Sequence, residues 1–434
     1  MLGHRQRALP PHGWAIDLSP LRDNPPYARL WGGGVTSGIG GQLTVVAIGV
    51  QIYDLTGSTF AVSLLGIIAF APMVLVGVFG SSLVDAFDRR IVLIFAASVS
   101  WLAAGGIAAL AWAGNDALPP LYALATLSSV SSTIVGAARF AILPRLVPMR
   151  QLPAAAALSG VSAGLQVTFG PALAGLLIAG AGYAWTYSID VILYTTAFIG
   201  IVTLPPIRPE GKRISLGPRS AIDGIRFLAT SQALRAPFVL HVVCMVFGRP
   251  QALYPALAAT VFGGGPLVVG LLSSSAAVGV LGSGVLSGRV VRIRRQGVAV
   301  GLAGVGFGAS SGAFGLVIAA VGTGATETDI ATAPLVAACV LLALSGAADN
   351  VASIFRTTMM QSVAPDAVRG RIQGLSTVVL TAGPRVGAAW VGGLSALSLW
   401  AAPAIGGAII VLAAAATTRW ARGMRGYVPA EAPR

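Results

Sequence analysis

Long apolar segments alternate with short polar stretches along the whole chain. Twelve segments hold about 20 or more mainly apolar residues, which is the length that an α-helix needs to cross the hydrocarbon layer of a membrane. The pattern therefore predicts an all-α integral membrane protein with about twelve transmembrane helices. The predicted spans are residues 30–53, 60–83, 91–113, 118–143, 152–181, 183–204, 237–262, 267–290, 297–321, 331–355, 372–394 and 399–418.

A long polar stretch interrupts this pattern and leaves six spans on each side. Within it, Ile222, Ile225 and Leu228 fall on one helical face, which predicts a short amphipathic helix over residues 221–229, along the membrane surface. A disordered linker is the alternative. The predicted organisation is an N-terminal tail of residues 1–29, a six-helix bundle of 30–204, a linker of 205–234, a second six-helix bundle of 235–418 and a C-terminal tail of 419–434.

The composition agrees with a membrane protein. Of the 434 residues, 55% are hydrophobic and 10% are charged, whereas soluble domains carry about 25% charged residues. The mean hydropathy is +0.82. The net charge of +14 would suit nucleic-acid binding, but most of the arginines lie at the ends of the apolar spans, where basic residues determine topology. We therefore expect the lipid bilayer, and no nucleic acid, as a partner.

The charges also predict the orientation of the chain in the membrane. The tails, the linker and alternate loops carry the arginines, whereas the other loops carry only the acidic residues Asp54, Asp116, Glu327 and Asp329. Basic residues flank membrane spans on the cytoplasmic side. We therefore predict a multi-pass protein of the cell membrane, inner or plasma, with both termini in the cytoplasm.

The sequence shows no pattern of enzymatic or ATP-driven chemistry. His4, His12 and His241 form no metal-binding or acid–base set, and no phosphate-binding Gly-x-x-x-x-Gly-Lys-[Ser/Thr] motif occurs. Cys244 and Cys339 have neither metal-site nor disulfide spacing. We expect no enzyme, no cofactor and no metal, which leaves an ion gradient as the energy source.

Corresponding features recur in the two halves of the chain. A proline-marked loop precedes the fifth span of each half, and each of those spans contains a Gly-Pro pair. The pair is Gly170-Pro171 in the first half and Gly383-Pro384 in the second. Six plus six spans with corresponding features and a central linker are the layout of transporters built from two pseudo-symmetric bundles.

The loop after the second span reads SSLVDAFDRR over residues 81–90 and resembles the signature GxLaDrxGrkxx of the major facilitator superfamily. Ser81, Ala86 and Asp88 depart from this signature. The matching positions are Leu83, Asp85, Arg89 and Arg90. The resemblance implies the major facilitator fold, two pseudo-symmetric six-helix bundles that work by alternating access.

We expect this loop to take part in gating. Asp85 and the pair Arg89/Arg90 are predicted to latch the cytoplasmic ends of the two bundles in the outward-open state, with Asp88 beside them. The Gly-Pro pairs of the fifth and eleventh spans are expected to contribute to the same motion.

Three stretches of the second half resemble the enterobactin-exporter type of transporter within that superfamily. They are GIRFLATSQALR at 224–235, LYPALA at 253–258 and APDAVRGRIQGL at 364–375. Exporters also share a motif gxxxGPxxGG in the fifth helix, which Gly170, Pro171 and Gly175 match in part. The resemblance favours efflux of a siderophore. The arginine that many drug–proton antiporters carry midway in the fourth helix is missing from 128–133, which puts their mode of coupling in doubt.

Charges within the spans are the candidate site residues, because a charge in mid-bilayer costs about 2.5–3.5 kcal/mol. Arg249 and Arg385 lie about 12–13 residues from the cytoplasmic start of their spans, roughly 18–20 Å along a helix and near the midplane. Two guanidinium groups facing a central cavity favour an anionic ligand, with Phe247 and Tyr254 as aromatic lining. The alternatives are a structural ion pair or a helix contact in the cytoplasmic half for the arginines, and interface anchors for the aromatic residues.

Two carboxylates are candidates for proton coupling. Asp190 lies in the outer part of the sixth span and Asp349 in the inner third of the tenth. A carboxylate removed from water holds its proton more readily, so either can carry a proton across an access change. For Asp349, a hydrogen bond from Asn350 or an ion pair with Arg356 is the alternative. Arg356 and Arg139, near helix ends, are expected to extend to the membrane face.

The sequence thus predicts a secondary transporter, a proton-driven exporter of a siderophore or similar anionic metabolite that works by alternating access as a monomer. The first alternative is a multidrug efflux antiporter for hydrophobic drugs. The second is a membrane receptor or scaffold that uses the same fold without transporting.

Overall fold

The computed structural model describes residues 17–86, 88–206, 218–285, 293, 295–324 and 330–427. The side chains of 75–86, 218–223, 285, 366–367, 369–371 and 377 lie outside this description. Within the described part of the chain every regular element is a helix, as the apolar pattern predicts.

The first half contains six helices and a short 3₁₀ turn, Met149–Gln151, between α5 and α6. The helices are α1 Ser19–Asp23, α2 Pro25–Thr56, α3 Thr59–Ala86, α4 Arg89–Trp112, α5 Leu118–Leu146 and α6 Leu152–Val202. The helix α6 holds two predicted spans, joined at Gly182. This residue has φ +77°, a conformation that only glycine adopts readily, and it ends the first span where the sequence predicts.

The second half follows a linker helix, α7 Pro218–Thr230. Its helices are α8 Arg235–Phe247, α9 Tyr254–Thr260, α10 Gly265–Val285, α11 Gln296–Val321, α12 Thr332–Val363, α13 Asp366–Ser395, α14 Ala401–Trp420 and the short α15 Arg422–Arg425. The predicted seventh span is wrong as a single helix, because it is broken into α8, a 3₁₀ turn Gln251–Leu253 and α9. Pro250 and Pro255 lack the amide hydrogen that a continuous helix requires at these positions.

By length and hydropathy alone, nine helical segments in the described part of the chain are suited to cross a membrane. One of them is the double span α6. The described apolar part of α3, Thr59–Val74, is shorter than these nine, and α13 is not among them either. The structure nevertheless gives each of the twelve predicted spans a helical counterpart, so the protein is a multi-pass helical bundle.

The linker helix α7 contains the predicted helix of residues 221–229, and its position along the membrane surface stays a prediction. Leu228 is 4% exposed and packs with the second bundle, whereas Ile225 is 51% exposed. The two side chains therefore do not share one buried face. The side chain of Ile222 lies outside the described residues.

The two halves make corresponding contacts at their Gly-Pro helices. Gly170 of α6 packs against Gln42 of α2, and Gly383 of α13 packs against Met245 of α8. In both cases the glycine lies in the fifth membrane span of its half and contacts the first span of the same half. This correspondence is the pseudo-symmetry of the two six-helix bundles.

Because the chain crosses the membrane an even number of times, both described ends lie at one face, here called the terminal face. The opposite one is called the far face. One buried cluster in the far half joins both bundles and includes Ile48 and Leu257. The clusters of the terminal half each belong to one bundle, around Leu93 and Leu158 in the first and Phe355 in the second. Among the described residues, the hydrophobic packing thus joins the bundles near the far face.

Candidate functional site

The break between α8 and α9 positions Arg249 inside the second bundle. The helix α8 ends at Phe247, and the amide of Gly248 donates the last hydrogen bond, to the Cys244 carbonyl at 3.0 Å. Arg249 follows in non-helical backbone, and its Nη2 donates to Oδ2 of Asp349 on α12 at 2.6 Å. The two side chains are only 26% and 19% exposed. The structure therefore brings together two candidate residues that are 100 positions apart.

The structure also shows the hydrogen bonds of Asn350 and Arg356, the two residues that the sequence offered as alternative partners of Asp349. Asn350 donates to Ser283 Oγ on α10 at 2.9 Å, so its amide is directed away from the Asp349 carboxylate. Arg356 Nη2 donates to Ser353 Oγ at 3.3 Å. The binding of a substrate by Arg249 and the coupling role of Asp349 both stay predictions.

A small cavity lies beside the ion pair, between α8, α11 and α12. Its volume is about 10 Å³, and Asp349, His241, Cys244 and Arg356 provide its polar lining. Arg356 is only 8% exposed, so the expectation that it extends to the membrane face was wrong. The sequence interpretation left His241 out of any chemical set, and the structure places it here.

Arg385 lies where the two bundles meet. Its Nη1 donates to the Thr381 carbonyl of its own helix, α13. A Cβ added at Gly66 of α3 would lie 3.7 Å from the Arg385 Cα and 3.1 Å from the Ala388 Cβ. This contact between α3 and α13 joins the two bundles, and the binding of a substrate by Arg385 stays a prediction.

The two aromatic candidates are packed differently from one another. Phe247 lies edge-on to Trp390, with ring centroids 5.0 Å apart, close to the helix break. Tyr254 is 4% exposed and belongs to the buried cluster of the far half. In this conformation Tyr254 is a packing residue; its part in substrate binding stays a prediction.

The first bundle buries a carboxylate of its own. Asp190 on α6 is 3% exposed, and its Oδ2 accepts a hydrogen bond from Thr44 Oγ1 at 2.5 Å. Its Oδ1 has no hydrogen-bond partner among the described residues and lies against Gly40 of α2. A buried carboxylate that lacks part of its hydrogen bonding is costly, and the coupling role of Asp190 stays a prediction.

A row of glycines on α2 makes this approach possible. The side chains of Arg139, Gln166 and Asp190 all come too close to α2 for a Cβ at the facing position. Arg139 also donates to Ser37 Oγ at 3.4 Å, so it is directed into the bundle and not to the membrane face as expected. The sequence interpretation missed this row, although its signal was present as the glycines Gly34, Gly38 and Gly40.

The end of the 81–90 loop, at residues 88–90, contacts the first bundle in this structure. The Asp88 side chain accepts from the Arg90 amide at 2.9 Å and caps α4. Arg89 donates to the Ala141 carbonyl at 3.0 Å, and Arg90 to the Val202 carbonyl at 2.8 Å. The side chain of Asp85 lies outside the described residues, and the latch between bundles stays a prediction.

The first Gly-Pro pair adjoins a close backbone contact between the bundles. A Cβ added at Gly270 of α10 would lie 2.7 Å from the Pro171 carbonyl oxygen and 3.1 Å from the Gly175 Cα. The second pair packs inside its own bundle, where a Cβ at Gly387 would lie 2.5 Å from the Val246 carbonyl oxygen of α8. Only glycine allows these backbones to approach so closely.

Two pseudo-symmetric six-helix bundles thus meet near one face, and each holds buried or partly buried charged side chains, Asp190 in the first and Arg249, Asp349 and Arg356 in the second. Among the described residues no group of three or more His, Cys, Asp or Glu side chains could hold a metal ion. The fold defines the class of protein: a multi-pass helical bundle of the kind from which major facilitator transporters are built.

The particular family follows from sequence comparison. The profile of the transmembrane secretion effector family matches residues 15–425, and the chain belongs to this family. The enterobactin exporter EntS of Shigella boydii serotype 18 is 27% identical over 380 residues, 87% of each chain. EntS of Escherichia coli O139:H28 is 26% identical over 380 residues, again 87% of each chain.

Solved structures of other transporters share the fold. A bacterial homologue of the iron transporter ferroportin in an inward-facing state superposes with a TM-score of 0.67 at 17% identity, over 92% of this chain and 99% of that one. A POT family transporter superposes with a TM-score of 0.72 at 11% identity, over 92% and 96%. At these identities the likeness concerns the fold alone.

Proposed function

We propose that this transporter exports an anionic small molecule of the siderophore class, driven by the proton gradient, by alternating access. The terminal face is the cytoplasmic one in this proposal, because the arginine-rich loops lie there. The protein then acts as a monomer in the inner membrane, with residues 30–204 and 235–418 as the two moving bundles and 205–234 as the linker between them.

The observation that supports an anionic substrate is Arg249 at the helix break. Discontinuous helices form the substrate sites of many transporters near the midplane. Arg249 has one carboxylate partner, Asp349, and a guanidinium group offers five donors in a planar fork. A carboxylate or catecholate can therefore bind to this fork in exchange for Asp349. Arg385 places a second guanidinium group at the contact between the bundles. The relatives named enterobactin exporters agree with such a substrate.

Asp190 is the better-placed of the two candidate proton carriers. Asp349 is paired with Arg249, whereas Asp190 has only the Thr44 hydroxyl as its hydrogen-bond partner in the described structure. In this proposal Asp190 takes up a proton when the bundle is open to one side and releases it when the bundle is open to the other.

Transport in proteoliposomes tests the proposal. With a pH gradient and a catecholate siderophore as substrate, we expect Arg249→Gln and Arg385→Gln to lose transport. Arg235→Gln removes the same charge from an exposed position of α8 and should transport normally. Asp190→Asn should abolish the dependence on the pH gradient. Normal catecholate flux in both arginine variants would contradict the proposal.

The Asp190 carboxylate, whose Oδ1 has no hydrogen-bond partner among the described residues, gives the multidrug alternative a specific observation in its favour, because a buried carboxylate also attracts cations. The same liposomes, loaded with a cationic dye such as ethidium, separate the two functions. Dye efflux that needs Asp190 but neither arginine would identify a drug antiporter. No flux of either solute would favour the receptor or scaffold.

A further inference from the structure

A wide groove lies between α11 and α12 of the second bundle, outside the residues to which transport has been assigned. Its volume is about 450 Å³, within the range of about 300–1,000 Å³ that ligand pockets occupy. The described residues that line it are all apolar except Arg295. Ala299 and Ala303 of α11 and Ala347 of α12 line it with side chains too short to fill the space between the helices.

The groove begins at the terminal face and extends into the membrane region. Arg295 precedes Gln296, the first residue of α11, and a Cβ at Gly297 would meet the Met424 carbonyl oxygen of the C-terminal helix α15. Ala303 lies about two helical turns beyond Arg295, roughly 12 Å along the helix at 1.5 Å per residue. Half of a hydrocarbon layer of about 30 Å is about 15 Å. The groove therefore spans most of one leaflet, with the arginine at the headgroup end.

The groove is open to the surroundings of the bundle. Leu302 is 64% exposed and Ile293 is 44% exposed, and Arg295 is exposed as well. Around a membrane span these surroundings are lipid, so the occupant of the groove has to be apolar along most of its length. At the other end, a guanidinium group offers a planar fork of donors that matches phosphate oxygens.

We infer that this groove binds an anionic phospholipid, with its phosphate at Arg295 and one acyl chain between α11 and α12. Basic pockets between membrane helices bind anionic lipid headgroups. A zwitterionic lipid carries an ammonium group beside its phosphate, which offsets the attraction to the arginine, whereas an anionic lipid keeps it. The site does not involve Arg249, Arg385 or Asp190, so it stands whichever solute the protein transports.

Photo-cross-linking in proteoliposomes tests the site directly. Phosphatidylglycerol and phosphatidylcholine that carry the same diazirine-bearing acyl chain are the probes, each as a minor component of phosphatidylcholine vesicles. Mass spectrometry of peptides then maps the labelled residues. We expect phosphatidylglycerol to label residues 298–303 and 347–351 about fivefold more than phosphatidylcholine does, the ratio for one basic residue at an anionic lipid. At Leu412 of α14, which is 69% exposed, the two probes should label equally.

Two variants separate the two ends of the site. Arg295→Gln should bring the labelling ratio in the groove to about one, because it removes the charge that distinguishes the headgroups. Ala347→Leu fills part of the groove and should lower labelling there by both probes, with labelling at Leu412 unchanged. The matched control is Arg235→Gln, which removes an exposed arginine at the terminal end of α8 and should keep the fivefold ratio.

Equal labelling of the groove by the two probes in the native protein would overturn the inference, because any lipid would then cover this surface. A ratio that survives in Arg295→Gln, or that is lost equally in Arg235→Gln, would overturn it as well, since the preference would then come from the charge of the whole face. An excess of glycerol phosphate should leave the labelling unchanged. If glycerol phosphate displaces the probe, the site holds a free phosphate compound and not a lipid.

Discussion

The far half and the terminal half of the membrane region are packed in different ways. In the far half one buried cluster contains side chains from both bundles, and Gly175 and Gly270 bring two backbones of different bundles into contact. In the terminal half the clusters around Leu93, Leu158 and Phe355 each stay within one bundle. Within the described part of the chain, the contacts that join the bundles are thus concentrated towards the far face.

This difference shows which contacts an access change has to break. To open the far face, the molecule must separate the backbone contact of α6 with α10 and that of α3 with α13. The terminal face can open or close without disturbing the three clusters inside the bundles. Each bundle thus has a core of its own, and rigid-body rocking of one bundle against the other is the motion that this packing favours.

The largest effect is expected from a side chain placed between the bundles at the far face. A Cβ at Gly270 would lie 2.7 Å from the Pro171 carbonyl and 3.1 Å from the Gly175 Cα, and backbone cannot move aside as a side chain can. Overpacking of this kind costs about 1–3 kcal/mol. Gly270→Ala should therefore favour the far-face-open conformation and slow transport. Distances between spin labels on the two bundles at the far face measure the shift.

The control for this variant is Gly282→Ala on the same helix, where a Cβ would have no neighbour within 4 Å. It should leave both the distances and the transport rate unchanged. If Gly270→Ala behaves like Gly282→Ala, the contact between α6 and α10 does not hold the far face closed.

The latch predicted for the terminal face should give the next largest effect. Asp85→Asn removes the charge that is expected to hold the bundles together at that face in the opposite conformation. We expect normal expression with loss of transport, and a far-face-open population that is depleted in the same spin-label measurement. Normal flux would exclude the latch.

Gly40 should matter for Asp190 in a more local way. A Cβ at Gly40 would overlap the Asp190 Oδ1 and come within 3.2 Å of the Asp190 Cα, whereas a Cβ at the neighbouring Gly41 would meet nothing within 4 Å. Gly40→Ala should weaken the response of transport to the pH gradient and lower stability by about 1–3 kcal/mol. Gly41→Ala is the matched control. If the two variants respond equally to the pH gradient, Gly40 has no part in proton coupling.

The smallest effect on transport is expected at the joint between the two spans of α6. Gly182 has φ +77° and open space around its Cβ position, so Gly182→Ala adds backbone strain without a clash. Strain of this kind costs about 1–3 kcal/mol, which should appear as a lower melting temperature with normal transport. Gly180→Ala, in helical backbone with equally open space, serves as the reference. Loss of transport in Gly182→Ala would show that the joint moves during the cycle.

Much of the architecture could be predicted from the sequence, because in a membrane the length of an apolar segment nearly specifies a helix. The separation of two spans at Gly182 is an example. The break at Arg249 was missed because Pro250 and Pro255 sit in an apolar run and hardly change its hydropathy. The inward direction of Arg139 and Arg356 was missed as well, because position along a helix does not say which way a long side chain is directed.

The sequence by itself determined the twelve spans, their division into two related halves, the face that carries the arginines and the identity of the buried charges. These features follow from local composition and spacing. The tertiary structure alone decided the partners: Arg249 with Asp349, His241 with their shared cavity, Asp190 with Thr44 and Gly40, and Gly175 with Gly270. Each of these contacts joins helices that are distant in the chain, and their geometry depends on how the helices pack against one another.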